Sequence, residues 1–337
     1  MIGRRLLFFL VVSSVLLLPT IGLAVTELVL DGNTITDANG RRITVTKPFA
    51  RIISLYAAHT ENLFELGADD QVVGVPRHAD WPAAARSKPV HSYHDDVERF
   101  LAARPDLVLI RPMIDRGYGQ LVGRLEANGI VVVSLQPSSI EQMFVYWRIL
   151  GVLAGREPAA EAMVARFEKI VRQIRMQTDR ITNKKRVYFE AIHDRMRTFS
   201  PSAMPIFVLE TAGGINVAGD AVPRRGTNIA DYGKERILSR GQEIDVYLAQ
   251  FGPMNRPTVE SIKAEPGYDL IRAVQRNSIF VIDEKLVSRP TIRLLAGICR
   301  IGKLLYPEYF MEGELAAACL PLLDGRVGNA FMKEERP

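Results

Sequence analysis

The 337 residues carry a formal charge of +5, and 47 % of them are hydrophobic, an ordinary composition for a folded globular protein. So small a basic excess argues against nucleic acid as the partner. The chain is longer than one core usually supports, so two lobes are expected.

The first residues read MIGRRLLFFLVVSSVLLLPTIGLA: Arg4 and Arg5, an apolar run from Leu6 to Leu18, Pro19, and small residues at Gly22 and Ala24. This is the pattern of a secretory signal, residues 1–24, with cleavage after Ala24. A retained anchor would need about 20 apolar residues, and this run is shorter and ends at a proline. The residue directly after the cleavage site is Val25, not a cysteine, which argues against a lipid anchor. The processed protein is expected in the periplasm, its charge lowered from +5 to +3 by loss of the two arginines.

Residues 25–50 alternate apolar and polar from Leu28 to Thr46, with Asn39-Gly40 placed for a tight hairpin turn. After Pro48 the period changes. Apolar runs Ile52 to Leu55, Val72 to Val75, Leu107 to Ile110 and Val131 to Leu135 alternate with helical patterns Thr60 to Leu66, Val97 to Ala103 and Tyr118 to Asn128. Strands separated by helices imply βαβ units and a parallel sheet, giving a first α/β lobe over 51–137.

Residues 138–182 form a helical linker. Ser139 can cap its first helix, Gly155 can end it, and Pro158 fits the first turn of the second. That second helix, 158–181, keeps Met163, Val164, Phe167, Ile170, Val171 and Ile174 on one stripe. At 1.5 Å per residue it would span about 36 Å. A flexible hinge would be written in Gly and Ser, whereas this connection is a rod that allows the lobes little relative motion.

Strand and helix patterns return over 183–310: strands Arg186 to Glu190, Ile215 to Val217, Val246 to Gln250 and Ser278 to Ile282, helices Thr227 to Leu238, Thr258 to Ala264 and Arg293 to Leu305. ERILSRGQEIDVYLA, from Glu235, echoes ERFLAARPDLVLI, from Glu98: each is a short helix headed by an acid, then a buried strand. Two lobes of similar plan follow. Cys299 and Cys319 show no metal-ligand spacing. An oxidising compartment permits a disulfide between them, and simple packing of Cys299 in its apolar helix is the alternative. Residues 311–337 are an extension with no functional reading.

The order ITVTKPFARIISLYAAHTENLFELGADDQVVGV, a D-W-P turn, VERFLAARPDLVLI, a long helix and SRPTIRLLAGICRIGKLLYPE resembles the helical-backbone class of periplasmic solute-binding proteins, which deliver ferric siderophores, haem or cobalamin to ABC importers. The likeness covers nearly all of Thr44 to Pro307. It implies two Rossmann-like α/β lobes joined by a single long helix, with the ligand between them. It also implies an ABC permease and its ATPase subunits as partners, a monomer, no enzymatic activity and no cofactor of its own. Glu98 and Glu235 stand where such proteins present acids to the permease. The alternative for both is a carboxylate placed at a helix N-terminus by the macrodipole.

Ligands of open α/β sheets bind beyond the carboxyl ends of the strands. In the first lobe those loops carry Tyr56, His59, Arg77, His78, Trp81, Tyr93, His94, Arg111, Arg116 and Tyr118; in the second, His193, Arg195, Arg197, Arg225, Phe251 and Arg289. The arginines suit an anionic ligand, since guanidinium pairs bidentately with carboxylate or phosphate. The aromatic side chains offer flat apolar surface to a chelate or macrocycle. Imidazole is a common transition-metal ligand, and His59 with His193 form the candidate pair across the cleft; hydrogen bonding to ligand oxygens or loop carbonyls is the alternative. A ferric siderophore leads as cargo. A corrinoid follows, because RHADWP resembles a segment of cobalamin binders, and haem is third, with Tyr56 or Tyr93 as axial ligand. A metal-dependent hydrolase has little support, for G-x-S-x-G, H-E-x-x-H and a Cys paired with His are all missing.

Overall fold

Two turns, not one, shape the N-terminal segment. Val29–Asp31, Thr34–Thr36 and Arg42–Thr44 form a three-stranded antiparallel sheet, with Gly32 at φ 56° making a turn that the alternation alone conceals. In the computed structural model, which describes residues 27–224 and 227–323, this sheet straps the first lobe. Buried Asp37 accepts from Ser134 N through Oδ2, at 2.9 Å, and Leu28 N donates to Gln142 Oε1 at 2.8 Å. The expected signal segment and the end of the C-terminal extension lie outside the described residues, as does Arg225.

The first lobe is built on four parallel strands in the order Val72–Gly74, Ile52–Ser54, Leu107–Ile110, Val131–Ser134. Leu107–Ile110 is buried throughout, as a strand covered by helices on both faces must be. Ser139 then caps helix Ile140–Ala154 by accepting from Gln142 N, and Gly155, at φ 65°, ends it. The rod follows as Glu157–Thr178. Gly151 allows the two helices to meet, since a Cβ there would lie 2.8 Å from Ala160 Cβ. Phe167 on the rod packs against Trp147 of the first helix, with ring centroids 5.5 Å apart, and stacks on Phe207 of helix Met204–Thr211 in the second lobe.

The second lobe departs from a copy of the first. Arg186–Ile192 pairs in parallel with Val246–Phe251, which pairs in parallel with Ile279–Asp283. On its other side Arg186–Ile192 carries Ile215–Asn216 in parallel at its start and an antiparallel arm, Arg197–Phe199, Ile229–Asp231 and Val222–Pro223, at its end. The helix expected from Thr227 is therefore corrected. Its first residues are a strand recruited by Arg197–Phe199, Gly233 at φ 90° breaks the chain, and only Lys234–Ser239 is helical. Pairing with a neighbouring strand overrides a local helical pattern.

Beyond helix Leu294–Leu305, the turn Pro307–Phe310 seats Phe310 over Gly302, and helix Gly313–Leu323 folds back. A disulfide joins Cys299 to Cys319 across the two helices, and Gln177 of the rod bonds Glu314. No helix among the described residues is long and apolar enough to cross a membrane.

Candidate ligand cleft

Helix Ala57–Glu65 begins at Tyr56, just past strand Ile52–Ser54, and buries its polar side against the second lobe. Glu61 receives Arg289 Nη1 at 2.8 Å and lies 3.5 Å from Arg293. Asn62 Nδ2 and Trp147 Nε1 both donate to the Pro290 carbonyl, at 2.9 and 3.0 Å. Asp80 pairs with Lys285 at 2.5 Å. The lobes are therefore fastened by a polar seam as well as by the rod. Because Glu61 and Arg289 are buried, removing either one would leave a buried charge with only a more distant partner, Arg293 for Glu61 or Glu284 for Arg289.

His59 lies beside this seam, bonded within its own side of it, and its expected place in the cleft is corrected. It is 0 % exposed, with Nε2 3.1 Å from the Ile110 carbonyl and Nδ1 2.7 Å from the Tyr146 hydroxyl. A carbonyl only accepts, so Nε2 carries the proton and Nδ1 takes the hydroxyl's. Burial pushes its pKa down to about 3. The ring is neutral, fully engaged, and offers no nitrogen to a metal. The same correction applies to Arg289, which is 6 % exposed and held by Glu61, with Glu284 at 3.9 Å.

The rim of the first lobe is aromatic. Tyr56 lies under the Arg111 guanidinium, 4.3 Å from ring centroid to Cζ, while Arg111 Nε donates to Gln136. Burial raises the Tyr56 pKa. Tyr93 and Tyr118 meet at 4.7 Å, and the Tyr118 hydroxyl lies 3.2 Å from His94 Nδ1. Arg77, His78 and Arg116 are exposed. Trp81 stands apart from the Tyr56 group: Arg293 lies 5.0 Å above its ring, and it borders a cavity of about 460 Å³ with Val281, Arg300, Lys303 and Leu322. The arginine–tryptophan contact draws the indole to the seam.

In the second lobe His193 follows strand Arg186–Ile192 and presents Nδ1 to Glu190 Oε2 at 2.8 Å. That bond, outweighing burial, raises the His193 pKa. Arg195 is exposed, whereas Arg197 is tied to Asp231 at 2.8 Å within the antiparallel arm, so its expected ligand role is corrected too. Phe251 is 45 % exposed and Met254 72 %. Gly252 between them lets Glu284 close in, because a Cβ there would stand 2.4 Å from Glu284 Oε2. Burial raises the Glu284 pKa, while Arg289 and Arg111 oppose the rise. Among the described residues no cluster of three or more His, Cys, Asp or Glu could hold a metal.

The residues missed by sequence reasoning are acidic or amide: Glu61, Asn62, Glu190 and Glu284. Glu190 had a signal, a charged residue inside the apolar run VYFEAI three positions before His193. Glu61 and Asn62 sit on a helical surface whose facing partners are more than 200 positions away in the chain, and Glu284 closes on Gly252 from a separate helix. Both echo acids fall in the first turn of a short exposed helix, Glu98 in Val97–Ala103 and Glu235 in Lys234–Ser239.

A family model described as periplasmic binding protein matches residues 52–286. A Bacillus subtilis protein described as an ABC transporter substrate-binding lipoprotein is 24 % identical over 83 % of this chain and 87 % of its own. A vitamin B12-binding protein of Vibrio cholerae is 22 % identical over 75 % of this chain and 89 % of its own. The crystal structure of a possible iron-binding periplasmic solute-binding protein from Staphylococcus epidermidis superposes with a TM-score of 0.67 at 26 % identity, covering 77 % of this chain and all of that one.

Proposed function

Since the chain belongs to the periplasmic binding protein family, a family of substrate-binding proteins of ABC transport, we propose that its cargo is a corrinoid, gripped between the lobes and passed to a permease. The observation that carries this reading is what remains available in the cleft. Arg197 and Arg289 are consumed by internal carboxylates and Arg111 is stacked on Tyr56. Left over is an apolar and aromatic surface: Tyr56, Tyr93 and Tyr118 on one lobe, Phe251 and Met254 on the other. A large, flat and weakly charged macrocycle fits such a surface better than a polyanionic iron chelate. The relatives described as vitamin B12-binding and cobalamin-binding support the same choice. A ferric siderophore is the second reading, favoured by the exposed cations Arg77 and Arg195.

The protein carries its cargo unchanged. Glu98 and Glu235, one on each lobe, are the proposed contacts with the permease, and the N-terminal signal would place the encounter in the periplasm. The test is a thermal-shift titration against cyanocobalamin, haemin, a ferric hydroxamate and a ferric catecholate. A ligand at 100 times its Kd stabilises the folded state by about 2.7 kcal/mol. Cyanocobalamin is expected to give the largest shift. A larger shift with either iron chelate overturns the corrinoid assignment.

A further inference from the structure

A buried carboxylate ordinarily has a cation beside it. Glu190 is 0 % exposed and accepts from His193 Nδ1 and the Tyr247 hydroxyl, and no arginine or lysine pairs with it among the described residues. Its other oxygen, Oε1, is buried without a hydrogen bond. The ion pairs of the lobe seam do not include this carboxylate; its partners are the imidazole and the Tyr247 hydroxyl.

The manner of holding matters. A carboxylate only accepts, so the proton of neutral His193 sits on Nδ1 and Nε2 keeps its lone pair. The backbone is fixed as well: His193 N donates to Asn255 Oδ1 at 2.9 Å, and Asn255 Nδ2 donates to the Gln250 carbonyl at 2.7 Å. Nε2 makes no hydrogen bond among the described residues, and the side chain stays 12 % exposed at the carboxyl end of its strand. A carboxylate behind one ring nitrogen and an open lone pair on the other is how proteins orient an imidazole toward a metal. His193 by itself would not retain a bare ion, which needs three or more protein ligands. The metal must arrive with ligands of its own and one position open.

Resting on the chelate reading above, we infer that His193 Nε2 occupies an axial position on the metal of a planar chelate, with Glu190 and Tyr247 as positioning residues for that ring. The step is a ligand exchange. Where the ring is charged, as Glu190 favours, Nε2 first releases its proton to solvent; it then gives its lone pair to the metal, a labile water leaves, and no electron is transferred. A cargo whose axial positions are already filled gains nothing from His193.

That difference supplies the test. The purified protein is titrated with aquocobinamide, whose axial waters exchange, and with cyanocobalamin, whose axial positions are both occupied. Aquocobinamide is expected to show an absorbance change characteristic of nitrogen ligation. His193→Ala should abolish that change and weaken aquocobinamide at least tenfold, leaving cyanocobalamin within twofold. Glu190→Gln and Tyr247→Phe should each weaken aquocobinamide by about tenfold, the usual effect of losing a residue that orients a metal ligand. Free imidazole, at a concentration too low to ligate aquocobinamide in the absence of protein, should restore the band in His193→Ala, which a purely structural role would not allow. If cyanocobalamin binds while aquocobinamide binds with no spectral change, or equally well to His193→Ala, the axial assignment alone falls. If corrinoids fail and haemin binds, the corrinoid cargo is wrong and the same spectral comparison on haemin decides the axial role. If none of them binds, the chelate reading falls and takes this inference with it.

Discussion

Each lobe sets a histidine just past the carboxyl end of an interior strand, His59 after Ile52–Ser54 and His193 after Arg186–Ile192, and the two have opposite fates. His59 meets a carbonyl and a hydroxyl, neither charged; burial outweighs the Ile110 carbonyl's hydrogen bond, nearby Arg111 adds to it, and the pKa falls to about 3. His193 meets a carboxylate, which favours the charged form and raises its pKa. Topology places both rings beyond the carboxyl end of an interior strand, His59 in the first turn of a helix and His193 in a short turn. The partner decides which becomes a packing element and which stays chemically available.

The first-lobe ring lies in a network that runs through Tyr146 to Asn62, beside the ion pair of the seam, so the comparison breaks most sharply at Glu61. Glu61→Ala leaves the buried Arg289 guanidinium with Glu284, at 3.9 Å, as its one remaining carboxylate and is expected to cost about 3 kcal/mol in urea unfolding. A loss below about 1 kcal/mol would show that the seam contributes little and that the rod alone fixes the lobes. Next in size is the pH dependence. His59 has a folded pKa near 3, below its unfolded value near 6.5, so its contribution to stability is present above pH 6.5 and drains away as the pH falls toward 3. The slope is at most about 1.4 kcal/mol per pH unit. His193 runs the other way, its contribution present below the unfolded value and lost as the pH rises through its raised folded value. Subtracting the curve of His59→Gln from wild type isolates the first histidine from the carboxylates nearby. An identical pH dependence in the two proteins would mean that His59 is hydrated in solution.

The alternation of strands and helices, the capped linker and the rod were legible because each has a local signature: apolar runs bounded by turns, Ser139 and Gly155 at the ends of one helix, a 3.6-residue stripe on the next. The antiparallel arm was not, since Ile229–Asp231 becomes a strand only by pairing with Arg197–Phe199, some thirty positions earlier. In the proposed cleft, Tyr56, Tyr93 and Tyr118 are candidates by their position after strands, and the fold brings Tyr93 to Tyr118 and Arg111 to Tyr56. What could not be read was which charged side chains already had partners. Arg197 and Arg289 look the same in sequence as Arg195, and only the fold brings Asp231 and Glu61 to two of them. His59 misled for the same reason, its acceptor carbonyl being 51 residues away.

The lobes differ again at the two acids proposed to meet the permease, and here the expected effect on the folded protein is the smallest. Glu98 is bonded to Arg124 at 2.7 Å, on a surface where both side chains remain exposed, whereas Glu235 makes no ion pair among the described residues. Exposed pairs exchange partners readily, so Arg124 need not prevent Glu98 from turning to a basic pocket on a partner. The double variant Glu98→Ala with Glu235→Ala is therefore expected to leave the unfolding midpoint and cargo affinity unchanged while impairing delivery through the permease reconstituted in vesicles. Arg124→Ala frees only the first-lobe acid and should leave delivery intact or improve it. If the double variant delivers normally, the matching acids are no more than carboxylates favoured by the N-termini of their own helices. If Arg124→Ala slows delivery as much as the double variant does, the arginine itself makes the contact, and the symmetry between the lobes ends at their sheets.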